Sequence, residues 1–530
     1  MLFEPLYRNL PAILVFLTMA GVTWLYGGTR PAPLMDTMPW LLALSMEGLL
    51  FFPQRRPYED MMQARDRLWH CLRRDPMLYL VLAFMLLLVV PLFNHGLCPN
   101  CECRAIAAGA DPSPPVPFLP YCVNVKDHSG VITWFVPAFI SALAVRHALT
   151  REGKRLFLEM VMWNGVALAI FGFIEQACGA RFVFWENPEH PVYFFSVFGY
   201  PNAAGAFFTM MFAFSVGLWR YHARETDFLR AANEGRKTVG QSTYWLRANY
   251  PLPGTVLLLF AVLYTRSRAA IMLTALLAAG IGVYVLVEAF GRSMERTRRL
   301  KTIVFSTVGM VVVGVAVMVF SPKGISAEMK TADLAAIADR VTGKTEWHAE
   351  ASIELFKEHP LFGVGGWGYK HLCLPYVPPR VLREFGRWYS RGGANVHNDY
   401  LQFLCEHGAV GAALLLAMLV VLLWPTCVIW RRLYKASLFA RPENAPPKPK
   451  AIFCMPACAF WLLMGNLCVL VHAFGDCPFR GAAVLTTLFA TLPAAEGFIP
   501  RLEEIELTTR SHSGSSAGSS GHASQSARQG

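Results

Sequence analysis

A histidine and two arginines carry the clearest chemistry in this 530-residue sequence. His397 and Asn398 lie in the segment GGANVHNDYLQFLCEHG, Gly392–Gly408, and Arg266 and Arg268 lie in the sequence TRSRAA. Histidine titrates near neutral pH and can accept a proton from a hydroxyl group, whereas the guanidinium fork binds phosphate or carboxylate. These residue types suggest proton transfer beside an anionic group. The alternative for His397 is an exposed polar residue at the start of a helix.

The elements that must position these residues are membrane helices. The chain is 54% hydrophobic, and it contains repeated apolar runs of the length needed to cross a bilayer, which is about 20 residues. We predict an all-α polytopic membrane protein with about 12 transmembrane helices. The predicted spans are 10–27, 34–52, 77–94, 131–148, 156–178, 199–219, 252–265, 268–290, 302–320, 409–430, 452–472 and 481–498.

Basic residues are concentrated in alternate connections between these spans. Lys and Arg cluster in 53–76, 146–155, 220–250, 291–301 and 431–450. Cytoplasmic loops of membrane proteins carry an excess of Lys and Arg. The net charge of +12 therefore follows loop position and does not indicate nucleic-acid binding. The pattern predicts that both termini are cytoplasmic.

Composition and topology together predict six regions. The large outward loop between spans 9 and 10 is expected to form amphipathic helices over 328–341 and 346–358, followed by a tight turn at HPLFGVGGWGYKH, His359–His371. The regions are transmembrane spans 1–3 (1–94), a Cys/Pro-rich outward loop (95–130), spans 4–9 (131–320), the large outward loop (321–396), spans 10–12 (397–498) and a disordered cytoplasmic tail (499–530).

Two helices have lengths that do not match a bilayer. A helix from Asn398 to Trp430 would be about 50 Å long, against a hydrocarbon core of roughly 30 Å. We expect Asn398 or Asp399 to cap this helix and a break near Gly408. In contrast, span 252–265 is short. Either the membrane is locally thin, or Arg266 and Arg268 lie below the outer surface, where arginine usually faces a polar cavity or an anionic partner. The alternative is a hairpin turn with snorkelling arginines.

The Cys/Pro-rich loop contains four cysteines. Cys98, Cys101, Cys103 and Cys122 face an oxidising compartment on the predicted topology, and structural disulfides are the favoured interpretation. A four-cysteine zinc site is the alternative, because the sequence CPNC has the spacing of metal ligands. We predict no metal at the site of His397.

Four motifs, taken in order, resemble the O-antigen ligase and O-antigen polymerase superfamily of bacterial envelope glycosyltransferases. GYPNAAGAF resembles the start of a middle span in the family, and TRSRAA resembles its Ser-Arg turn. The run from Trp347 to Gly365 is similar to the end of its large loop, and VHNDYLQFLCEHGAVG resembles its His-Asn motif. Ala269 stands where the family often has glycine. The resemblance covers 195–425 well, and the cysteine loop lies outside it.

The resemblance implies an activity and a set of partners. It implies metal-independent, inverting transfer of a glycan from undecaprenyl diphosphate to an acceptor hydroxyl, with no cofactor. The acceptor would be a sugar of the lipid A core, or a growing glycan. The site would face the periplasm from the bacterial inner membrane, with the lipid bilayer as a further partner.

The resemblance also implies roles for individual residues. His397 is the expected catalytic base, and Arg268 is expected to bind the diphosphate, assisted by Arg266 and Arg340. Asp476 and His472, at the end of another outward span, could orient a substrate, but helix capping is the favoured interpretation for Asp476. The supporting candidates are Asn202, Asn398, Glu406 and His472.

Other functions remain open. A polysaccharide polymerase or a protein O-oligosaccharyltransferase would use the same site with another acceptor. A transporter of envelope lipid or glycan would need no chemistry, but such proteins commonly have charged or broken helices at the membrane midplane. The distinctive groups here are predicted at the outer surface, which favours an enzyme.

Overall fold

A computed structural model describes most of the chain as a bundle of helices. In the described parts, no β-strand forms, and the only β-type pairings are the isolated bridges His95–Cys122 and Phe195–Phe198. The predicted all-α class is therefore confirmed for these parts. The described residues are 4–56, 58–96, 113–188, 193–232, 241–291, 346–379, 383, 395–439 and 455–499.

The described residues form fifteen α-helices, numbered α1–α15 in chain order. They are α1 Glu4–Trp24, α2 Pro31–Met46, α3 Met61–Arg74, α4 Pro76–Val89, α5 Val125–Leu143, α6 Arg151–Ala177, α7 Pro201–Ala232, α8 Gln241–Asn249, α9 Leu252–Tyr264, α10 Arg268–Gly291, α11 Glu346–Glu358, α12 Gly368–Leu372, α13 Asp399–Phe439, α14 Ala457–His472 and α15 Ala482–Ala494.

Seven helical segments of the described chain are long and apolar enough to cross a membrane. The number rises to eight if α3 and α4, which are bent by 64° at their junction, count as one span. Two shorter apolar helices are Ala457–His472 and Ala482–Phe498. The seven segments are Pro31–Phe51, Val125–Ala148, Arg151–Ala177, Pro201–Thr226, Thr243–Tyr264, Arg268–Leu286 and Asp399–Lys435.

Several sequence predictions can be compared with these bounds. The predicted helix over 346–358 matches α11. The span predicted as short, 252–265, is longer than expected, because α8 extends it to Thr243–Tyr264, which is 22 residues. Span 302–320, helix 328–341 and the tail lie outside the described residues. The total of twelve spans and the sides of the loops therefore stay predictions.

The core of the bundle is built around α7, which is buried along most of its length. It packs against α9, α10 and α14, while α5 packs against α15. Small residues allow the closest approach: a Cβ added at Gly217 would lie 3.1 Å from the Cys458 backbone, and one added at Gly465 would lie 2.8 Å from Ala213 Cβ. Small residues at such interfaces are typical of helices that associate in membranes.

Helix α13 is broken at Gly408, as the sequence predicts. The backbone there has φ 64° and ψ −173°, a conformation that is essentially restricted to glycine. In an unbroken helix, the N–H groups of residues 409 and 410 would bond to the carbonyls of residues 405 and 406. Instead, Ala409 and Val410 donate to the Pro360 and Leu361 carbonyls at 2.8 and 3.0 Å.

The same loop also pairs with the two carbonyls that the break releases. Val364 N donates to the Cys405 carbonyl at 3.0 Å, and Gly365 N donates to the Glu406 carbonyl at 2.8 Å. All four backbone groups are thus satisfied by the segment Pro360–Gly365, which fulfils the requirement that buried polar groups be paired. The motif HPLFGVG is therefore held against the break in α13.

We predict that Gly408→Ala destabilises the protein strongly. The added Cβ would lie 2.3 Å from the Leu361 carbonyl oxygen, and the backbone conformation costs a non-glycine residue about 1–3 kcal/mol. Thermal unfolding of the purified protein measures the effect, with a lower midpoint expected. Gly280→Ala is the matched control, since its nearest neighbour would be 4.0 Å away. Equal midpoints for the two variants would contradict the role of Gly408.

Candidate functional site

His397 lies just before α13, in a strained backbone conformation. Its φ is 55°, and its side chain is 46% exposed. Asn398 caps the helix, because its Oδ1 accepts from the backbone N–H groups of Tyr400 and Leu401 at 3.0 and 3.1 Å. Strained residues that the surrounding structure holds in place cluster at functional sites.

Asp476 is the carboxylate beside His397. His397 Nδ1 lies 3.6 Å from Asp476 Oδ1, which is within ion-pair range but longer than a hydrogen bond. The buried Asp476 carboxylate also accepts hydrogen bonds from the Tyr200 hydroxyl and from Asn202 Nδ2. Burial alone raises the pKa of Asp476, but His397 and Tyr200 more than offset this effect and hold the pKa below its ordinary value.

The prediction that Asp476 is a helix cap is wrong. The only backbone N–H bonded to its carboxylate in the described structure is that of Cys477, at 2.7 Å, and Cys477 does not belong to a helix. Of the other partners, Tyr200 directly precedes α7 and Asn202 lies in its first turn. Asp476 therefore joins two segments that are more than 190 residues apart in sequence, the His397 turn and the first turn of α7.

The arginine turn packs against the same turn of α7. The approach is close because Gly205 has no side chain. A Cβ added at Gly205 would lie 2.7 Å from Ser267 Cβ and 2.6 Å from Ala270 Cβ. Gly205 follows Asn202 by three residues, so the two positions share one side of the helix. Arg268 is partly buried at the start of α10. The first turn of α7 is thus contacted by both the Asp476 carboxylate and the arginine turn.

Arg266 has a distinct environment. Its backbone has φ 57°, and its exposed guanidinium lies 4.0 Å from the centre of the Tyr193 ring. The Tyr193 hydroxyl in turn donates to the Tyr264 carbonyl at the end of α9. Arg266 is thus an exposed cation beside an aromatic ring, and the planar guanidinium both stacks on such rings and binds anions through its fork.

Sequence reasoning missed His348, which is the second histidine at this site. Its ring centre lies 6.0 Å from that of His397, and its Nδ1 lies 2.7 Å from the Tyr369 hydroxyl. Burial, together with the nearby His397, lowers the pKa of His348 to about 3, so it is neutral at physiological pH. In the sequence, the one feature that could have indicated His348 is its position next to Trp347. In the structure, the two rings stack with their centres 3.6 Å apart.

Glu406 and His472 lie apart from the His397–Asp476 pair. Glu406 is buried and ion-paired with Arg480 at 3.2 Å, and its carboxylate also accepts from Gln402 Nε2 at 2.9 Å. Arg480 lies 4.4 Å from the Trp367 ring centre. His472 is 2% exposed, and the described residues offer neither ring nitrogen a hydrogen-bond partner. We therefore assign Glu406 a structural role, and Arg480 is a buried cation that sequence reasoning missed.

The remaining predicted residues are only partly accounted for. Arg340, Cys98, Cys101 and Cys103 lie outside the described residues. Cys122 is a free, fully buried thiol that donates to the Pro91 carbonyl at 3.2 Å. A disulfide to Cys122, as predicted, would require its partner to reach the space beside Pro91. Within the described chain, no group of three or more His, Cys, Asp or Glu could hold a metal ion.

An apolar cavity of about 370 Å³ adjoins the site. Asp399 and Tyr400, which follow His397 in sequence, contribute to its wall, as do Glu406 and Arg480. Most of the remaining wall is apolar and comes from α5, α13 and α15, including Phe135, Phe403, Leu415, Leu419 and Leu488. A cavity of this size and lining fits a hydrocarbon chain.

The fold and site define a multi-pass helical membrane protein with a histidine–carboxylate pair near an arginine turn. Residues 253–416 match the sequence model of the family described as O-Antigen ligase. The match covers less than a third of the 530 residues, and it contains the arginine turn, the Pro360–Gly365 segment and His397. Over these residues the chain is similar to the O-antigen ligase superfamily. No curated protein matches the chain.

We predict that acid loosens the attachment of α11 through His348. A histidine with a lowered pKa stabilises the fold above its unfolded pKa of about 6.5, and this contribution is lost as pH falls toward 3. Between pH ~6.5 and ~5 the loss is up to about 2 kcal/mol. Hydrogen exchange of α11, corrected for intrinsic rates, should accelerate across this range relative to α14. In His348→Gln the acceleration should be smaller, and an unchanged acceleration would contradict the assignment.

Proposed function

We propose that this protein is an O-antigen ligase. It transfers a glycan from undecaprenyl diphosphate to a hydroxyl of a lipid A core sugar, at the periplasmic face of the bacterial inner membrane. The reaction inverts the anomeric centre and uses no metal. Both termini lie in the cytoplasm, as the distribution of basic loops indicates. The family match to 253–416 supports a ligase or polymerase function, and the site geometry supports glycan transfer as the reaction.

The observation that carries the proposal is the shared first turn of α7. Asp476, which lies beside His397, is bonded to Tyr200 and Asn202 there. Ser267 of the arginine turn packs against Gly205, three residues further on. A potential base and a potential anion-binding turn are therefore held by the same rigid element. Such positioning on rigid elements is what a two-substrate transfer requires.

In the proposed mechanism, His397 takes the proton of the acceptor hydroxyl. Its Nδ1 faces Asp476, so Nε2 is the atom available to the acceptor. The acceptor oxygen attacks the anomeric carbon as the bond from that carbon to the diphosphate oxygen breaks. Asp476 stabilises the imidazolium that forms and orients the ring. A general base of this kind typically contributes about 10²–10⁴-fold to the rate.

Arginine stabilises the leaving group. Negative charge develops on the diphosphate as the glycosidic bond breaks, and fixed guanidinium groups stabilise it better than water does. Arg268 is the proposed main contact, with Arg266 and Arg340 assisting. Each charged hydrogen bond contributes on the order of 1.5–3 kcal/mol. The stacking of Arg266 on Tyr193 at 4.0 Å supports its presentation to an anion.

The apolar cavity supports a lipid-linked substrate. Its wall includes Asp399 and Tyr400 beside His397, and its volume of about 370 Å³ accommodates part of an isoprenoid or acyl chain. A transporter would not need a base paired with a carboxylate. The features that favour an enzyme are thus the His397–Asp476 pair and its proximity to an apolar cavity.

Variants of Arg268 and His397 should separate donor binding from the chemical step. Arg268→Ala should weaken binding of the lipid-linked donor about 10- to 100-fold, and Arg268→Lys should restore little, since lysine lacks the planar fork. His397→Ala should bind the donor normally but lose about 10²–10⁴-fold in transfer rate. The assay uses purified protein, undecaprenyl-diphosphate-linked glycan and lipid A core, with donor binding measured separately.

Three results would change these assignments. Transfer by His397→Ala at the parent rate would eliminate the base role. Loss of donor binding in His397→Ala would make the histidine a binding residue. Transfer to a second lipid-linked glycan, or to a protein, in place of lipid A core would replace ligase with polymerase or protein glycosyltransferase while leaving the site intact.

Asp476 is predicted to be a positioning residue. Asp476→Asn should lower kcat about 10- to 100-fold, which is part of the contribution of the base, while the donor KM changes little. The matched control is Glu186→Gln, which removes a carboxylate bonded to Tyr26 and Arg30 instead. A rise in KM with unchanged kcat would show that Asp476 only supports the fold of the binding site.

A further inference from the structure

The segment after α6 turns back along that helix and exposes two aromatic residues. Phe184 and Trp185 are 37% and 49% exposed. Their φ values are 54° and 57°, in the left-handed region that bulky residues rarely adopt. Strained residues of this kind persist only where the surrounding structure holds them. We call Phe184 and Trp185 the aromatic pair, and two exposed rings in a strained turn indicate an interaction surface.

Hydrogen bonds hold the turn in this conformation. Phe184 N donates to Glu175 Oε1 at 2.8 Å, and Glu175 is a fully buried residue of α6. Trp185 N donates to the Phe182 carbonyl at 3.1 Å, and Phe182 is itself buried. The aromatic pair is therefore attached to α6 and to the packed interior, and its exposure is not the result of a loose loop.

The aromatic pair lies below the end of α6. The ring centre of Phe171 is 5.5 Å from that of Phe184 and 5.8 Å from that of Trp185. Phe171 precedes Ala177, the last residue of α6, by six residues, which is about 9 Å along the helix axis. The pair is therefore level with the inner part of a helix that is long and apolar enough to cross a membrane.

The surface of α6 at this level is apolar. Trp163, Ile170 and Ile174 are 40%, 44% and 47% exposed, and their spacing places them on one face of the helix. Ile170 and Ile174 lie within one turn of Phe171, which the aromatic pair contacts. An exposed apolar face on a membrane-spanning helix is the surface that meets lipid. The aromatic pair extends this surface outward.

The polar groups beside the aromatic pair already have partners. Glu186 accepts a hydrogen bond from the Tyr26 hydroxyl at 2.5 Å and forms an ion pair with Arg30 at 2.9 Å. A carbohydrate site needs polar groups that remain available to fix the ligand, whereas polar groups near hydrocarbon must be satisfied within the protein. The aromatic pair therefore suits lipid better than glycan.

We propose that the aromatic pair inserts into the outer leaflet of the bilayer, among the glycerol groups and the first acyl carbons of the phospholipids. This leaflet is on the side that the charge pattern predicts to be outward. Tryptophan is enriched at this level, because its ring is apolar while its N–H can reach a polar group. The insertion does not depend on the proposed glycan transfer.

The inserted pair also fixes the level of the arginine turn. Phe182 directly precedes Val183 and the aromatic pair, and its ring centre lies 5.6 Å from that of Phe194. The neighbour of Phe194 is Tyr193, whose ring centre lies 4.0 Å from the Arg266 guanidinium. Packed rings thus connect the lipid surface to Arg266, so the pair sets how far this cation stands from the bilayer.

Photo-cross-linking tests the insertion directly. The full chain carries p-benzoylphenylalanine at position 185, 170 or 181 and is reconstituted into liposomes of phosphatidylethanolamine and phosphatidylglycerol. After irradiation, peptide mass spectrometry measures the fraction of each peptide that carries a phospholipid. We expect similar yields at positions 185 and 170, because both face lipid. The yield at position 181 should be several-fold lower, since Arg181 is exposed in the same loop and its charge favours water.

Tryptophan fluorescence provides a second measurement with a conservative variant. Trp185→Phe keeps an aromatic ring, so the difference in emission between the parent and this variant isolates Trp185. Phospholipids brominated on the upper acyl chain should quench this difference emission several-fold more than aqueous iodide does, because the indole lies among the lipids.

Hydrogen exchange tests the connection to the arginine turn. The N–H groups of Phe195 and Phe198 donate to each other's carbonyls at 3.2 Å, so their exchange reports how firmly this segment is held. In liposomes, Phe184→Ser with Trp185→Ser should accelerate both amides several-fold relative to α14. Arg181→Ser is the matched control and should change neither. Equal exchange in the double variant and the control would eliminate the connection to Arg266.

Other results would overturn the insertion itself. These are the absence of phospholipid at position 185 when position 170 carries it, equal yields at positions 185 and 181, or stronger quenching by iodide than by brominated lipid. In a parallel sample that contains undecaprenyl-diphosphate-linked glycan, cross-linking of position 185 to sugar would identify a carbohydrate site instead. Cross-linking to a second copy of the chain would identify a subunit interface.

Discussion

The exchange of backbone hydrogen bonds at Gly408 is the interaction on which the packing of the segment Pro360–Gly365 against α13 depends. The break removes two helical hydrogen bonds. The segment Pro360–Gly365 supplies a new partner for the N–H group and for the carbonyl group of each lost bond. Because an unpaired buried backbone group is costly, loop and helix must assemble together. The loop leads from α11 to α12, so this pairing also brings His348 and Tyr369 to the side of His397.

The second constraint is the compensation of buried charge. Asp476 is held by Tyr200 and Asn202, and it lies beside His397. Arg480 pairs with Glu406, which lies two residues before the break in α13. These two clusters are separate, yet Asp399 connects them, since its backbone N–H donates to the Asp476 carbonyl and its side chain accepts from Phe479 N. The His397–Asp476 pair, which we propose to be reactive, and the Arg480–Glu406 pair thus share one scaffold.

The sequence predicts features that depend on local chemistry. The Asn398 cap, the break at Gly408 and helix α11 all follow from residue type and spacing. The role of Asp476 does not, because its partners Tyr200 and Asn202 are distant in sequence and nothing local distinguishes it from a helix cap. Arg480 was missed for the same reason. The length of the span ending at Tyr264 was underestimated, because Tyr250 and Pro251 interrupt the apolar run between α8 and α9.

The break also has a mechanical consequence. The loop is bonded to α13 on both sides of Gly408, to Cys405 and Glu406 before it and to Ala409 and Val410 after it. The section beyond contains a second potential bend at Pro425. Bilayers differ in thickness, and helices accommodate the difference by tilting or kinking. Because Gly408 is clamped, we expect such bending at Pro425, far along the helix from His397.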